Sequence, residues 1–111
     1  MPVEMTFYGY RDKKTCVFIK TRIYYKIMIE DEKIVIENIN NKITYTYYYK
    51  QIKNISHDFK KISIVCSNNT FNLKLKNNLI EQLFTIIKNK CNQCLQLQLQ
   101  TQQQINLQTR L

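Results

Sequence analysis

A period-two pattern of apolar residues over residues 15–29 constrains the fold of this chain more than any other feature. Side chains on a β-strand point to opposite faces in turn, so one face would pack in a core and the other would be exposed and basic. The pattern therefore predicts a long, half-buried strand in an antiparallel sheet. The apolar set is Val17, Ile19, Thr21, Ile23, Tyr25, Ile27 and Ile29, and the alternate set includes Lys20, Arg22 and Lys26.

The same alternation recurs along the chain between turns that are rich in Asn and Asp. Gly and Pro occur once each, and Asn can replace Gly in turns because it tolerates left-handed backbone. No strand–helix–strand spacing occurs, which favours an antiparallel over a parallel sheet. We predict a mainly β fold, a barrel or sandwich of about seven antiparallel strands. The predicted strands are residues 4–11, 15–29, 33–39, 42–50, 52–55, 60–66 and 70–75.

After residue 76 the hydrophobic period changes to that of a helix. Asn77 or Asn78 can cap its first turn, and an apolar stripe follows at helical spacing. We predict one C-terminal α-helix that closes one mouth of the β-structure. The stripe consists of Leu79, Ile80, Leu83, Phe84 and Ile87, and it is extended by Cys91, Cys94 and Leu95.

A change in composition near Lys90 divides the chain into a body, residues 1–90, and a tail, residues 91–111. The tail has eight of the ten Gln residues and Arg110 as its one charge. Beyond Leu95 the sequence allows a strand, a helix with scattered Leu, or a low-complexity segment. If the tail is helical, Leu95 and Leu99 are four residues apart and form a seam for a protein partner or a second copy of the chain.

The formal net charge of +9 favours anionic partners such as lipid headgroups, acidic proteins or nucleic acid. The charge is concentrated at the first predicted hairpin, where Lys20 and Arg22 share one strand face and could converge on one phosphate. The alternative is a solvated strand face that opposes aggregation. The candidate anion-binding residues are Arg11, Lys13, Lys14, Lys20, Arg22 and Lys26.

The order of seven strands and a terminal helix resembles the pleckstrin-homology-like (PH-like) superfold, including its GRAM-type variants, over residues 4–90. The resemblance rests on residues 9–11 (Gly-Tyr-Arg), 20–26 (Lys-Thr-Arg-Ile-Tyr-Tyr-Lys), 48–52 with Ile55, and 69–73 (Asn-Thr-Phe-Asn-Leu). The Trp common in the family's terminal helix is absent, and Phe84 could fill its space. The resemblance implies that phosphates of a phosphoinositide headgroup would be held at the first hairpin.

The tyrosine-rich fourth strand places aromatic side chains on both of its faces. If one set lies in the core, Tyr48, together with Tyr24 of the second strand, would face outwards. Tyrosine is enriched in protein interfaces, and outward tyrosine beside lysine also suits base stacking on single strands. We favour the protein interface for Tyr24 and Tyr48.

No motif for catalysis, a metal or a cofactor is evident in the sequence. Cys91 and Cys94 form a lone CxxC without the second ligand pair that zinc needs, and the His57-Asp58 neighbours lie in a predicted turn. The single Gly cannot build a phosphate-binding loop. We therefore expect no enzyme activity, no catalytic residue, no metal site and no cofactor.

We expect a non-enzymatic adaptor that mediates protein–protein interaction as a small subunit or scaffold of a larger assembly. The first alternative is a peripheral membrane module that binds phosphoinositides, and the second is a nucleic-acid-binding protein. No signal peptide or transmembrane run is evident, so we expect an intracellular location: cytoplasmic, peripheral to a membrane, within an assembly, or nuclear.

Overall fold

A computed structural model describes residues 4–16, 19–67 and 69–109, with side chains described for 4–13, 21–67, 69–76 and 78–97. These residues form seven β-strands, one 3-10 turn at Tyr49–Gln51 and one α-helix. The strands are β1 (Met5–Cys16), β2 (Ile19–Ile29), β3 (Lys33–Asn38), β4 (Thr44–Tyr48), β5 (Ile52–His57), β6 (Lys61–Cys66) and β7 (Thr70–Lys74), and the helix is α1 (Asn77–Thr109).

All seven strands belong to one antiparallel sheet with the order β4-β3-β2-β1-β7-β6-β5. The prediction of seven antiparallel strands with one C-terminal helix is confirmed. The sheet does not close into a barrel: β4 and β5 are its two edges, and no backbone pairing joins them within the described residues. Strand order and helix position are compatible with a PH-like fold.

The sheet folds back so that its four-stranded half, β1–β4, packs on its three-stranded half, β5–β7. Phe71 of β7 marks the contact, since its ring centre lies 5.4 Å from that of Tyr25 and 5.3 Å from that of Tyr45. Burial of aliphatic side chains stabilises this packing by about 1.5–3 kcal/mol for each one. The core includes Ile27, Ile29, Ile34, Ile36, Ile62, Ile64, Leu73, Ile80, Leu83 and Ile87.

The second strand begins at Ile19 and not at residue 15, because β1 continues through Cys16. The predicted alternation is confirmed over residues 22–29, whereas Thr21, which the pattern places on the core face, is exposed. Tyr25, Ile27 and Ile29 are buried, and Arg22 is exposed. Residue 17, which the alternation places in the core, lies outside the described residues.

Gly9 permits the close approach of the two halves of the sheet. One residue pair, Tyr10 with Lys74, joins β1 to β7 in the strand register. A Cβ atom at Gly9 would lie 3.0 Å from the backbone oxygen of Lys74 and 3.2 Å from Cγ of Leu75. A side chain at this position would therefore push β7 away from β1.

The turn between β3 and β4 is built by asparagine side chains, as its composition predicts. Oδ1 of the buried Asn38 accepts hydrogen bonds from the backbone N–H groups of Asn40 (3.0 Å) and Asn41 (3.4 Å). Oδ1 of Asn41 accepts one from Ile43 (2.9 Å). The residue with left-handed backbone is Lys42, with φ of 64°. Side-chain caps therefore hold this turn without Gly.

The helix α1 begins after Lys76, whose carbonyl oxygen accepts hydrogen bonds from the N–H groups of Leu79 and Ile80. Ile80, Leu83 and Ile87 are fully buried, and the helix packs on β5, β6 and the 3-10 turn. The helix then continues to Thr109 without interruption. Of the three conformations open to the tail, the structure selects the helix.

Candidate binding surfaces

The cationic residues predicted at the first hairpin lie on two opposite faces of the sheet. Arg11 faces inwards, where its guanidinium carbon is 4.4 Å from the Phe71 ring centre and its Nε donates to the backbone oxygen of Asn72. Arg22 faces outwards, where its guanidinium lies 4.4 Å from the Tyr10 ring centre and its Nε is 3.4 Å from a carboxylate oxygen of Asp12. The hairpin therefore does not bring Arg11 and Arg22 together.

The other four predicted anion-binding residues of the first hairpin are Lys13, Lys14, Lys20 and Lys26. Lys13 is exposed and Lys26 is half-buried. Lys14 and Lys20 are partners in the backbone register of β1 and β2, but their side chains lie outside the described set. Convergence of Lys20 and Arg22 on one phosphate stays a prediction.

The alternation of β1 gives a sequence signal for the inward orientation of Arg11. Phe7 and Gly9, which precede it at intervals of two, are both buried, so period two places Arg11 on the core face. The positive charge of Arg11, in contrast, suggests an exposed side chain that contacts an anionic ligand. In the structure, the guanidinium lies over the rings of Phe71 and Tyr25, at 4.4 Å and 5.9 Å from their centres.

The outer face carries a surface that we call the tyrosine–lysine strip, which runs across β2, β1, β7 and β6. Tyr24 lies beside Tyr10, which pairs with Lys74, which pairs with Lys61. Tyr8 and Tyr24 are 60% and 51% exposed, and the ring centres of Tyr10 and Tyr24 are 6.5 Å apart. The strip consists of Tyr8, Tyr10, Tyr24, Arg22, Lys26, Lys61 and Lys74.

Sequence reasoning found part of this strip and missed the rest. Tyr24 was expected to face outwards, and it does. The sequence does not associate Lys61 and Lys74 with Tyr24, because these lysines are far from β2 in sequence. They come onto the same surface as Tyr24 only through the pairing of β1 with β7.

Tyr48, the other tyrosine expected on the outer face, is also exposed, at 37%. It pairs with Lys33 near the opposite end of the sheet, and the Lys33 ammonium lies 5.8 Å from its ring centre. Tyr24 and Tyr48 therefore do not form one surface.

The described end of α1 exposes two large apolar side chains. Leu95 is 56% exposed and Leu97 is 64% exposed. The side chain of Leu99 lies outside the described set, so the predicted seam of Leu95 and Leu99 stays a prediction.

A groove of about 290 Å³ separates α1 from β5 and the 3-10 turn. Its rim carries Lys50, Lys53 and Lys88, and its lining includes Cys91 and Cys94. Burial, with a smaller contribution from Cys94, raises the pKa of Cys91 to about 11. The Cys91 thiol is thus protonated near neutral pH, and a protonated thiol is a poor nucleophile and metal ligand.

The remaining candidates for chemistry are held by local packing. The His57 ring lies 4.4 Å from the Phe84 ring, centre to centre. The Asp58 carboxylate accepts hydrogen bonds from the N–H groups of Lys60 and Lys61, which lower the pKa of Asp58. No group of three or more His, Cys, Asp or Glu side chains is arranged to hold a metal ion in the described part of the chain. In that part, no helix combines the length and apolarity needed to cross a membrane.

Comparison with known proteins finds similarity to solved structures but no match to a family model or a curated protein. The chain is similar to a solved structure described as the C-terminal domain of an unknown protein from Leishmania infantum, with a TM-score of 0.63 and 13% identity. The match covers 81% of this chain and 84% of that one. At this identity the likeness concerns the fold alone.

Proposed function

We propose that this chain is a non-enzymatic protein-interaction module with a PH-like fold, a small subunit or scaffold that binds its partner through the C-terminal part of α1. The observation that carries the proposal is the length of this helix. It has 33 residues, or about 50 Å at 1.5 Å per residue, and only its first half packs on the sheet. The molecule is accordingly 69 Å long and 27 Å across.

α1 packs on the body as far as Cys94, and it is also anchored there by an ion-pair cluster at Lys90. Its ammonium lies 2.8 Å from a carboxylate oxygen of Glu4 and 3.8 Å from one of Asp31. Leu95 and Leu97 lie one to two turns beyond Lys90 and are 56% and 64% exposed, and Leu97 lines a groove with Tyr48 and Lys50 of the body.

The composition of the C-terminal part of α1, residues 91–109, favours its contact with a partner. Residues 91–109 contain no charged side chain, so no ion pairs between neighbouring turns support the helix. Short helices are marginal in water unless an apolar face packs against something. Burial of Leu95 and Leu97 on a partner would contribute about 1.5–3 kcal/mol each.

The PH-like assignment rests on strand order, on the packing of the two halves and on the position of α1 against β5 and β6. This fold hosts binding modules of several kinds, so the ligand must be argued from the surface. The phosphoinositide alternative receives less support, because Arg11 and Arg22 lie on opposite faces of the sheet.

The experiment compares three forms of the chain, each tagged at the N-terminus and expressed in its native cells. The first is the wild type, the second is Leu95→Gln/Leu97→Gln, and the third is Ile43→Gln, a matched exposed apolar control in the β3–β4 turn. Quantitative co-purification should recover the same partners with the wild type and the control, and several-fold less with the double variant. Equal recovery with all three forms would contradict the proposal. Light scattering of the purified protein shows whether the partner is a second copy.

A further inference from the structure

We propose that the tyrosine–lysine strip binds single-stranded nucleic acid. This activity is separate from the proposed protein interaction, because the strip lies on the outer face of the sheet and α1 contributes no residue to it. The inference rests on the juxtaposition of tyrosine rings from β1 and β2 with cationic side chains from β2, β7 and β6.

The strip has the dimensions of a short single-strand site. From Tyr24 to Lys61 the register crosses three inter-strand spacings of about 4.8 Å each, or about 14 Å in all. Tyr8 and Lys26 are register partners and lie to one side of this row, and Asp12 and Arg22 are partners on the other side. The surface therefore extends in both directions over several side chains.

The tyrosines present rings on which bases can stack. Tyr8 and Tyr24 lie mostly in water, and Tyr10 supports Tyr24 from the neighbouring strand at 6.5 Å. Arg22 in turn lies over Tyr10 at 4.4 Å, which fixes the guanidinium beside the rings. Base stacking on aromatic side chains accepts any base, because every base has a π-face.

The cations of the strip outnumber its carboxylates. Arg22 and Lys74 both contact Asp12, at 3.4 Å and 2.9 Å. The Asp12 carboxylate therefore has two cationic side chains beside it, and these three groups together carry a net positive charge. Lys61 adds a further cation at the end of the row, near Asp58, and Lys26 adds one beside Tyr8, opposite Glu37 of β3. Four cations thus face three carboxylates.

The position of Lys74 favours a polyanion over a protein as the ligand. Lysine is depleted from the cores of protein interfaces, yet Lys74 lies in the middle of the row, between Tyr10 and Lys61. Duplexes fit less well, because base pairing and stacking hide the π-faces that Tyr8 and Tyr24 would contact. A flexible single strand can place its phosphates on the lysines and its bases on the tyrosines.

The test measures fluorescence anisotropy of a labelled oligouridylate of about 16 nucleotides with the full chain at low salt. We expect Tyr8→Ala/Tyr24→Ala to weaken binding about tenfold or more, since two stacking platforms are lost. Lys61→Ala should reduce the slope of log affinity against log salt concentration by about 0.7, the value for one single-strand phosphate contact. Tyr48→Ala and Lys42→Ala, which lie outside the strip, are the matched controls and should bind as the wild type does.

Three outcomes would overturn the proposal. The first is no anisotropy change at about 50 mM salt, where phosphate contacts are strong. The second is unchanged binding by the tyrosine double variant, and the third is equal affinity for polyglutamate, for vesicles containing phosphatidylserine or for a duplex of the same length. Leu95→Gln/Leu97→Gln should bind RNA as the wild type does, so failure of the strip and failure of the helix surface can be distinguished.

Discussion

The guanidinium of Arg11 and the ring of Phe71 are stacked across the two halves of the folded sheet, 4.4 Å from Cζ to the ring centre. Arg11 belongs to β1 and Phe71 to β7, and Nε of Arg11 also donates to the backbone oxygen of Asn72 at 3.3 Å. The same ring contacts Tyr25, Tyr45 and Tyr47. A cation thus covers the aromatic cluster that holds the two halves together.

This geometry predicts that Arg11→Ala destabilises the protein. The variant loses a cation–π contact of about 0.5–2 kcal/mol and one hydrogen bond of comparable strength. We expect the free energy of unfolding, measured by urea denaturation, to fall by about 1–3 kcal/mol. Lys13→Ala, the next position on the same strand face and exposed, should change it by less than about 0.5 kcal/mol. Equal effects of the two substitutions would show that Arg11 has no structural role.

A second prediction concerns Gly9. Gly9→Ala would place a Cβ atom 3.0 Å from the backbone oxygen of Lys74, and a backbone atom cannot rotate away as a side chain can. We expect a loss of about 1–3 kcal/mol in the free energy of unfolding, the usual cost of overpacking. Thr6→Ala, at an exposed position of the same strand, is the control. A Gly9→Ala variant as stable as the wild type would mean that β7 can shift without penalty.

A third prediction concerns the alkaline stability of the fold and Tyr49. The Tyr49 hydroxyl donates to the backbone oxygen of Glu30 at 2.8 Å. Burial, and to a smaller extent the nearby Glu4 carboxylate, raises the pKa of Tyr49 well above the ordinary tyrosine value of 10.0. Because the folded pKa is the higher one, this stability is fully present below pH 10 and is lost as pH rises further. Tyr49→Phe should therefore be less stable than the wild type at pH 7, by about 0.5–1.5 kcal/mol.

The difference between these two proteins should narrow as pH rises above 10, because the wild type alone loses stability through Tyr49. Urea denaturation at a series of alkaline pH values measures this convergence. Parallel curves for Tyr49→Phe and the wild type would contradict the assignment of the alkaline transition to Tyr49.

Most elements of the fold follow from local sequence periodicity, since alternation reports which strand faces are buried. The positions of β3, β6 and β7 agree with the predicted ranges to within one residue at either end. β4 ends sooner than predicted, because its alternation continues through Tyr49 while the backbone enters the 3-10 turn. The Tyr49 side chain is buried, as strand alternation predicts, although its backbone belongs to the 3-10 turn.

The candidate surfaces could be predicted only in part, because they depend on pairings between distant segments. Alternation along the second strand predicts that the Tyr24 side chain lies on the outer face of the sheet. Only the sheet order places Lys74 and Lys61 beside it, and local patterns carry no information on which strands become neighbours. Charge likewise obscures the two faces of the β1–β2 hairpin. Arg11 of β1 and Arg22 of β2 look like one basic cluster in the sequence, and only alternation and register together place them on opposite faces.

The single residue pair between Tyr10 and Lys74 has a consequence for how the molecule opens. Within each half of the sheet, long ladders of backbone hydrogen bonds protect amide groups, whereas the junction of β1 and β7 relies on side-chain packing. Amide hydrogen exchange should therefore divide the protein into two cooperative blocks, β1–β4 and β5–β7, that part from each other before either unravels. Water would reach the aromatic cluster of Phe71, Tyr25, Tyr45 and Tyr47 before the rest of the core, because this cluster lies in the contact between the two blocks.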